Sequence, residues 1–243
     1  DVYKRQTANN NTAFGSYALA ANTGGENTAV GKNALLVNTT GASNTAIGYA
    51  ALDANTTADN NTAIGYEALT ANTTADGNTA LGYKSYHSNS TGDYGTAVGY
   101  LALEECTTGV RNTALGAQAL REVTTGNNNT AGGFNALLNT TTASYNTGFG
   151  YGVLQSNTTG TKNVGVGVSA LTTNTTSNNI TAVGAYALKA NTAANNTAVG
   201  SEALFTNSTG GENVAVGSAA MYANTTGGYN TAMGCLLYTS DAA

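Results

Sequence analysis

Residues 44–60 read NTAIGYAALDANTTADN, and residues 61–77 read NTAIGYEALTANTTADG. The second stretch starts where the first stops, and fourteen of the seventeen positions agree, so the two are tandem copies of one unit. Outward in both directions the same frame recurs. Its anchor glycines are Gly15, Gly31, Gly48, Gly65, Gly82, Gly99, Gly116, Gly133, Gly150, Gly167, Gly184, Gly200, Gly217 and Gly234. Eleven of the thirteen spacings are 17 and two are 16. A fixed period of this size marks a solenoid built of stacked coils.

Numbering the unit from its Asn makes the anchor glycine position 5. Position 4 is large and apolar in all copies but that of Gly132, and position 2 is Thr in twelve copies and Val in two (Val164, Val214). Both face the same way in an extended segment, and β-branched residues suit a strand, so positions 1 to 5 are read as a short strand. Position 8 is nearly always Ala and position 9 nearly always Leu, as in Ala51-Leu52 and Ala187-Leu188. Position 12 is usually Asn but becomes Cys106, Val123 and Thr140 in three successive copies, the mark of an inward-pointing column. Positions 5, 8, 9 and 12 follow one face of a helix, which predicts a short helical turn over positions 6 to 11. A Thr-Thr-Gly loop closes the unit, and both 16-residue copies lose their residue there.

The expected fold is therefore a repeat solenoid of fourteen coils of about 17 residues. Each coil carries one short parallel strand and one short helical turn; an all-β left-handed parallel β-roll is the alternative. One unit buries about two large side chains at roughly 1.5–3 kcal/mol each. Ordering its backbone costs on the order of 1–2 kcal/mol per residue. A unit folds only by sharing faces with its neighbours. Fourteen coils at about 4.8 Å each would span roughly 65 Å.

Composition narrows the function classes. The 243 residues contain no Pro and no Trp, 9% are charged and the net charge is −5. The repeat-region cations Lys32, Lys84, Arg111, Arg121, Lys162 and Lys189 are scattered, which argues against nucleic acid and anionic membrane as partners. No apolar run approaches a membrane span, so membrane insertion is not expected. Nor is a cofactor. Cys106 and Cys235 lie many coils apart, so no disulfide between them is expected. Both ends leave the pattern: residues 1–6 (DVYKRQ) and 235–243 (CLLYTSDAA) look like translated sequencing-adapter sequence at the ends of a metagenomic fragment. The expected organisation is a single array over residues 7–234 with a foreign tail on each side.

The frame Asn-Thr-Ala-Val-Gly with Ala-Leu and Asn-Thr-Thr-Gly resembles the repeats of tailed-phage tail fibres. It also resembles the head repeats of trimeric autotransporter adhesins, whose core reads Ser-Val-Ala-Ile-Gly; the nearest stretch is Asn213-Val214-Ala215-Val216-Gly217. The resemblance implies an extracellular protein, on a virion or a bacterial surface. It would assemble as a homotrimer, and it would bind or space and not catalyse.

In a solenoid, residues one period apart become lateral neighbours, so function is sought in columns. Position 6 gives Tyr49, Tyr66, Tyr83 and Tyr100 in four successive coils, a ladder that could stack on sugar rings or simply brace the coils. Position 16 gives Asp59, Asp76 and Asp93, either a solvated acidic edge or a row bridged by a hard cation. Position 10 sets His87 beside Glu104 and Arg121, the one place where acid–base chemistry is conceivable; complementary surface charge is the plainer reading. The Thr/Ser column at position 13 suggests an ice-binding ladder as an alternative function. A carbohydrate-active enzyme is a further alternative, which lacks convergent acids. Position 3 is Ala or Gly throughout, and Ala46, Ala63, Ala80, Ala97 and Ala114 are candidates for close packing against another chain, or within this one.

Overall fold

The computed structural model describes residues 10–237, so residues 1–6 and 238–243 of the expected tails lie outside the described residues. The chain divides into two units, residues 1–126 and 127–243. The first contains β1 (Thr12–Phe14), β2 (Thr28–Val30), β3 (Thr45–Ile47), β4 (Thr62–Ile64), β5 (Thr79–Leu81), β6 (Thr96–Val98) and β7 (Thr113–Leu115). The second contains β8 (Thr130–Gly132), β9 (Thr147–Phe149), β10 (Val164–Val166), β11 (Thr181–Val183), β12 (Thr197–Val199), β13 (Val214–Val216) and β14 (Thr231–Met233). Within each unit every strand pairs in parallel with the next in sequence. The register joins equivalent positions: Thr45 with Thr62, Ala46 with Ala63 and Ile47 with Ile64 in the first unit, Val164 with Thr181 in the second. Each unit is a parallel β-solenoid of seven coils.

The predicted helical turn is absent: no helix occurs among the described residues. Positions 6 to 11 form a run of turns in which positions 7 and 9 are left-handed, as at Ala50 (φ 51), Leu52 (φ 50), Glu67 (φ 50) and Leu69 (φ 53). Single left-handed residues break an α-helix. The backbone is satisfied between coils instead. Glu67 N donates to Tyr49 O at 2.9 Å, Leu52 N to Ala68 O at 3.1 Å and Ala54 N to Thr70 O at 3.2 Å. The helical spacing of Ala and Leu arose because two of these turn residues point inward.

Inside the consensus coil sit Ala at positions 3 and 8, Leu at position 9 and two asparagines. Ala46, Ala63, Leu52 and Leu69 are fully buried, as are Asn44, Asn55, Asn61 and Asn72. The asparagines form two ladders. Asn61 N donates to Asn44 Oδ1 at 2.9 Å, and Asn72 Nδ2 to Asn55 Oδ1 at 3.1 Å. Both amides of a coil then converge on one carbonyl of the closing loop: Asn61 Nδ2 and Asn72 Nδ2 donate to Ala75 O at 2.9 and 3.0 Å. Buried polar groups are tolerable here because the repeat supplies partners from the neighbouring coil and the closing loop.

This interior corrects one expectation. Ala46, Ala63, Ala80, Ala97 and Ala114 have no exposed surface, so the small-residue face packs within its own coil and offers nothing to another chain. The large residue at position 4 points outward: Phe14, Ile47, Leu81 and Leu115 in the first unit, and Phe149, Val166, Val199 and Met233 in the second, are exposed.

Cys235–Leu237, expected to belong to the tail, continue the bonding of the coils. Leu236 N donates to Ser218 O and Met221 N to Leu237 O, both at 2.9 Å, and Leu236 is left-handed (φ 54) like other position-7 residues. Among the described residues no helix is long and apolar enough to cross a membrane.

Candidate functional site: an exposed tyrosine ladder

Two residues beyond each outward position-4 side chain stands position 6. In the first unit the register of β3 to β6 brings Tyr49, Tyr66, Tyr83 and Tyr100 into one stack. Centroid separations are 5.1, 5.4 and 5.5 Å, with planes 15°, 12° and 15° apart. Parallel strands set this spacing, and offset stacking of aromatic rings accepts it. All four rings are exposed. Lys32 lies over the ring of Tyr49, 6.0 Å from its centroid, and Lys84 over that of Tyr83 at 5.8 Å, both within cation–π range.

A charged flank runs beside the stack. Glu67 Oε2 lies 3.4 Å from Lys84 Nζ and 3.6 Å from His87 Nε2, and Arg121 Nε donates to Glu104 Oε2 at 2.7 Å. A hydrogen bond to Glu67 holds the Tyr66 hydroxyl and the Lys84 ammonium above their ordinary pKa values. The pair with Glu104 raises Arg121, and burial raises Asp53. His87 thus lies beside Glu67 of the preceding coil, while Lys84 pairs with Glu67 and Arg121 with Glu104 as complementary charges on an outer face.

The other candidate columns are structural. Asp59, Asp76 and Asp93 each accept a backbone N–H from the preceding coil: Ala42 N to Asp59 Oδ1 at 2.7 Å, Asp59 N to Asp76 Oδ1 at 2.7 Å and Asp76 N to Asp93 Oδ1 at 2.8 Å. The role considered for a cation is filled by peptide donors, and no group of three or more His, Cys, Asp or Glu among the described residues is placed to hold a metal ion. At position 13 the hydroxyls donate to the next coil's backbone, as Thr39 Oγ1 to Thr56 O at 2.9 Å and Thr56 Oγ1 to Thr73 O at 3.0 Å.

Sequence reading missed three aromatic features. In the second unit Phe134 and Tyr151 stack at 5.7 Å, again at position 6. At position 10 of the same unit Phe205 and Tyr222 stack at 5.0 Å, with Lys189 over Phe205. Lys32 caps Tyr49 in the first unit. The signal in each case was an aromatic or a lysine one period from an aromatic; only Lys189 and Phe205 are 16 residues apart, across a 16-residue copy.

These features define the class: a parallel β-solenoid with an aromatic column displayed on its outer surface. No protein-family model matches the chain, and no curated protein matches it.

Proposed function

We propose that the chain is a structural and adhesive shaft segment, of the kind borne by a phage tail fibre or a bacterial surface adhesin. It acts outside the cell without catalysis and contacts surface glycans through its tyrosine column. The observation that carries the reading is the four-ring ladder, exposed along its length and fixed by the strand register. Amphipathic rings held rigid lose little freedom on binding, which favours a contact surface. The interior supports the shaft role, since most coils repeat the same small core and the same two polar ladders. The position-13 hydroxyls already donate to backbone, which supports the shaft over an ice-binding face on that column. A glycan array comparing the parent chain with a variant carrying Tyr49→Ala, Tyr66→Ala, Tyr83→Ala and Tyr100→Ala tests the contact. Binding lost in the variant supports it; unchanged or absent binding removes it.

Self-association as a homotrimer belongs to the same proposal. With the alanine column buried, the outward position-4 column is the surface it would use: an apolar row of this length is unusual on a monomer. Solution mass measurement tests it, with Ile47→Glu and Leu81→Glu as the disrupting pair. A monomer at high concentration removes it.

A further inference from the structure

The ladder ends differently at its two sides. Before Tyr49, position 6 is Lys32, and its ammonium covers that ring. After Tyr100, position 6 is Ala117. The coil is in register there, with Val98 paired to Leu115 and Gln118 N donating to Tyr100 O at 2.8 Å, yet only a methyl group stands where the column elsewhere holds a ring. Exposure follows: Tyr100 is 52% exposed, against 41%, 44% and 43% for Tyr49, Tyr66 and Tyr83. Each interior ring has a neighbour on both faces and shows solvent its edge and hydroxyl. A pyranose packs its axial C–H groups against a ring face, not an edge, because the face is where the negative π density lies.

Polar partners stand nearby. Position 10 of a coil lies beside position 7 of the preceding one, as His87 Nε2 lies 3.6 Å from Glu67. Arg121, at position 10 of the coil that follows Tyr100, donates from Nε to Glu104 Oε2 at 2.7 Å, and Glu104 belongs to the coil of Tyr100. Gln118 follows Ala117 directly.

We propose that the open face of Tyr100, with Ala117 beneath it, is a stacking site for one pyranose ring, whose hydroxyls are met by Gln118 and the Glu104–Arg121 pair. This rests on the glycan-contact reading above and narrows it to one face of one ring. The site is small and shallow, so single-sugar affinity is weak and tight attachment needs several chains acting together.

The test is a proton-NMR titration with methyl β-D-galactopyranoside and methyl β-D-glucopyranoside as probes, on the whole chain and four variants. Ring-proton signals of a stacked sugar move upfield and saturate. The parent chain and Tyr66→Phe, which keeps the stack, should bind alike. Tyr100→Ala should weaken binding about tenfold, and so should Ala117→Lys, which copies the Lys32 cap onto the free face. Lys32→Ala should uncover Tyr49 and add a second site. Parent-like binding by Ala117→Lys would overturn the inference, as would equal losses in Tyr66→Phe and Tyr100→Ala; either leaves the broader glycan reading standing. If the parent chain binds neither glycoside the inference also fails, and the array then decides the broader reading by itself.

Discussion

The coils of residues 44–77 and those of residues 78–126 solve the same problem with different residues. In the first pair, each closing-loop carbonyl is met by two asparagine amides of its own coil, as Ala75 O is by Asn61 and Asn72. In the second stretch position 1 becomes Gly95, position 12 becomes Cys106 and the Leu of position 9 becomes Tyr86. Tyr86 is fully buried, and its hydroxyl donates to Gly109 O at 3.1 Å, the carbonyl that an asparagine at position 95 would serve. Cys106 Sγ approaches the same oxygen at 3.6 Å. A Cβ at Gly95 would collide with the tyrosine ring. Three departures from the consensus are one coordinated replacement, with a residual cost: Asn78 Nδ2 is buried without a partner. The frame thus demands a donor at the closing-loop carbonyl and leaves open which residue provides it.

The largest expected effect tests what both regions share. Gly65 lies at φ +143, and a Cβ there would drive into the carbonyl of Gly82 in the next coil. Gly65→Ala should cost about 4 kcal/mol or more, since strain and a backbone clash combine. Chemical denaturation of the parent and variant measures it. A loss below about 1 kcal/mol would show that the coils can separate locally and that the rigid register is not essential.

Next comes the replacement itself. Tyr86→Leu alone should cost about 2–4 kcal/mol, from a cavity and a carbonyl short of a donor. Gly95→Asn alone should cost about 1–3 kcal/mol by overpacking against the ring. Together they rebuild the consensus coil, so the double variant should be more stable than the sum predicts by at least about 1 kcal/mol. Additive losses would mean that Tyr86 and Gly95 are independent.

The altered region also buries a thiol and a phenol in its interior, at positions where the regular coils hold only asparagine and leucine. Burial raises the Cys106 thiol from its ordinary value of 9.0 to about 11, and pushes the Tyr86 hydroxyl well above 10.0. For Cys106 the folded chain keeps a proton that the unfolded chain releases between pH 9 and 11. Stability is therefore full below pH 9 and falls as pH rises toward 11, by roughly 2–3 kcal/mol. Cys106→Asn, which restores the ladder residue, should flatten that slope while leaving the fall due to Tyr86. An unchanged slope would contradict the burial of the thiol.

How far the sequence disclosed these arrangements depends on what each residue reports. The strand and its register were legible, because Thr, Val and the anchor glycine recur at one period and parallel pairing needs only that. The turns were not, because Ala and Leu at positions 8 and 9 fit a helix equally well. The discriminating signal lay at positions 7, 9 and 17, where no copy carries Val, Ile or Thr. These columns are left-handed, as at Leu52, Glu67 and Asn60, and β-branched residues tolerate that region poorly. The direction of position 4 was also hidden. A large apolar column is ordinarily taken as core, but here Leu of position 9 and the asparagines fill the narrow interior and leave room only for Ala at position 3. The tyrosine ladder could be read as a column, yet which of its faces are open depends on Lys32 and Ala117 at its ends. The Tyr86–Gly95–Cys106 exchange was invisible because each column was read alone, and the compensation runs between columns.

The smallest effect is a control for the comparison. Position 13 makes the same bond in both regions: Thr56 Oγ1 donates to Thr73 O at 3.0 Å, and Thr107 Oγ1 to Thr124 O at 3.2 Å. Both groups are half-buried, and Val keeps the shape of Thr while removing the hydroxyl. Thr56→Val and Thr107→Val should each cost about 0.5–1 kcal/mol, the net worth of one such hydrogen bond. Equal losses would show that the exchange around Tyr86 is contained within the interior and that the loop outside it is as well held as in the consensus coils. A Thr107→Val loss clearly smaller than that of Thr56→Val would show that the loop beside Cys106 is already loosened, so that its outer bond contributes less than the same bond over Asn55.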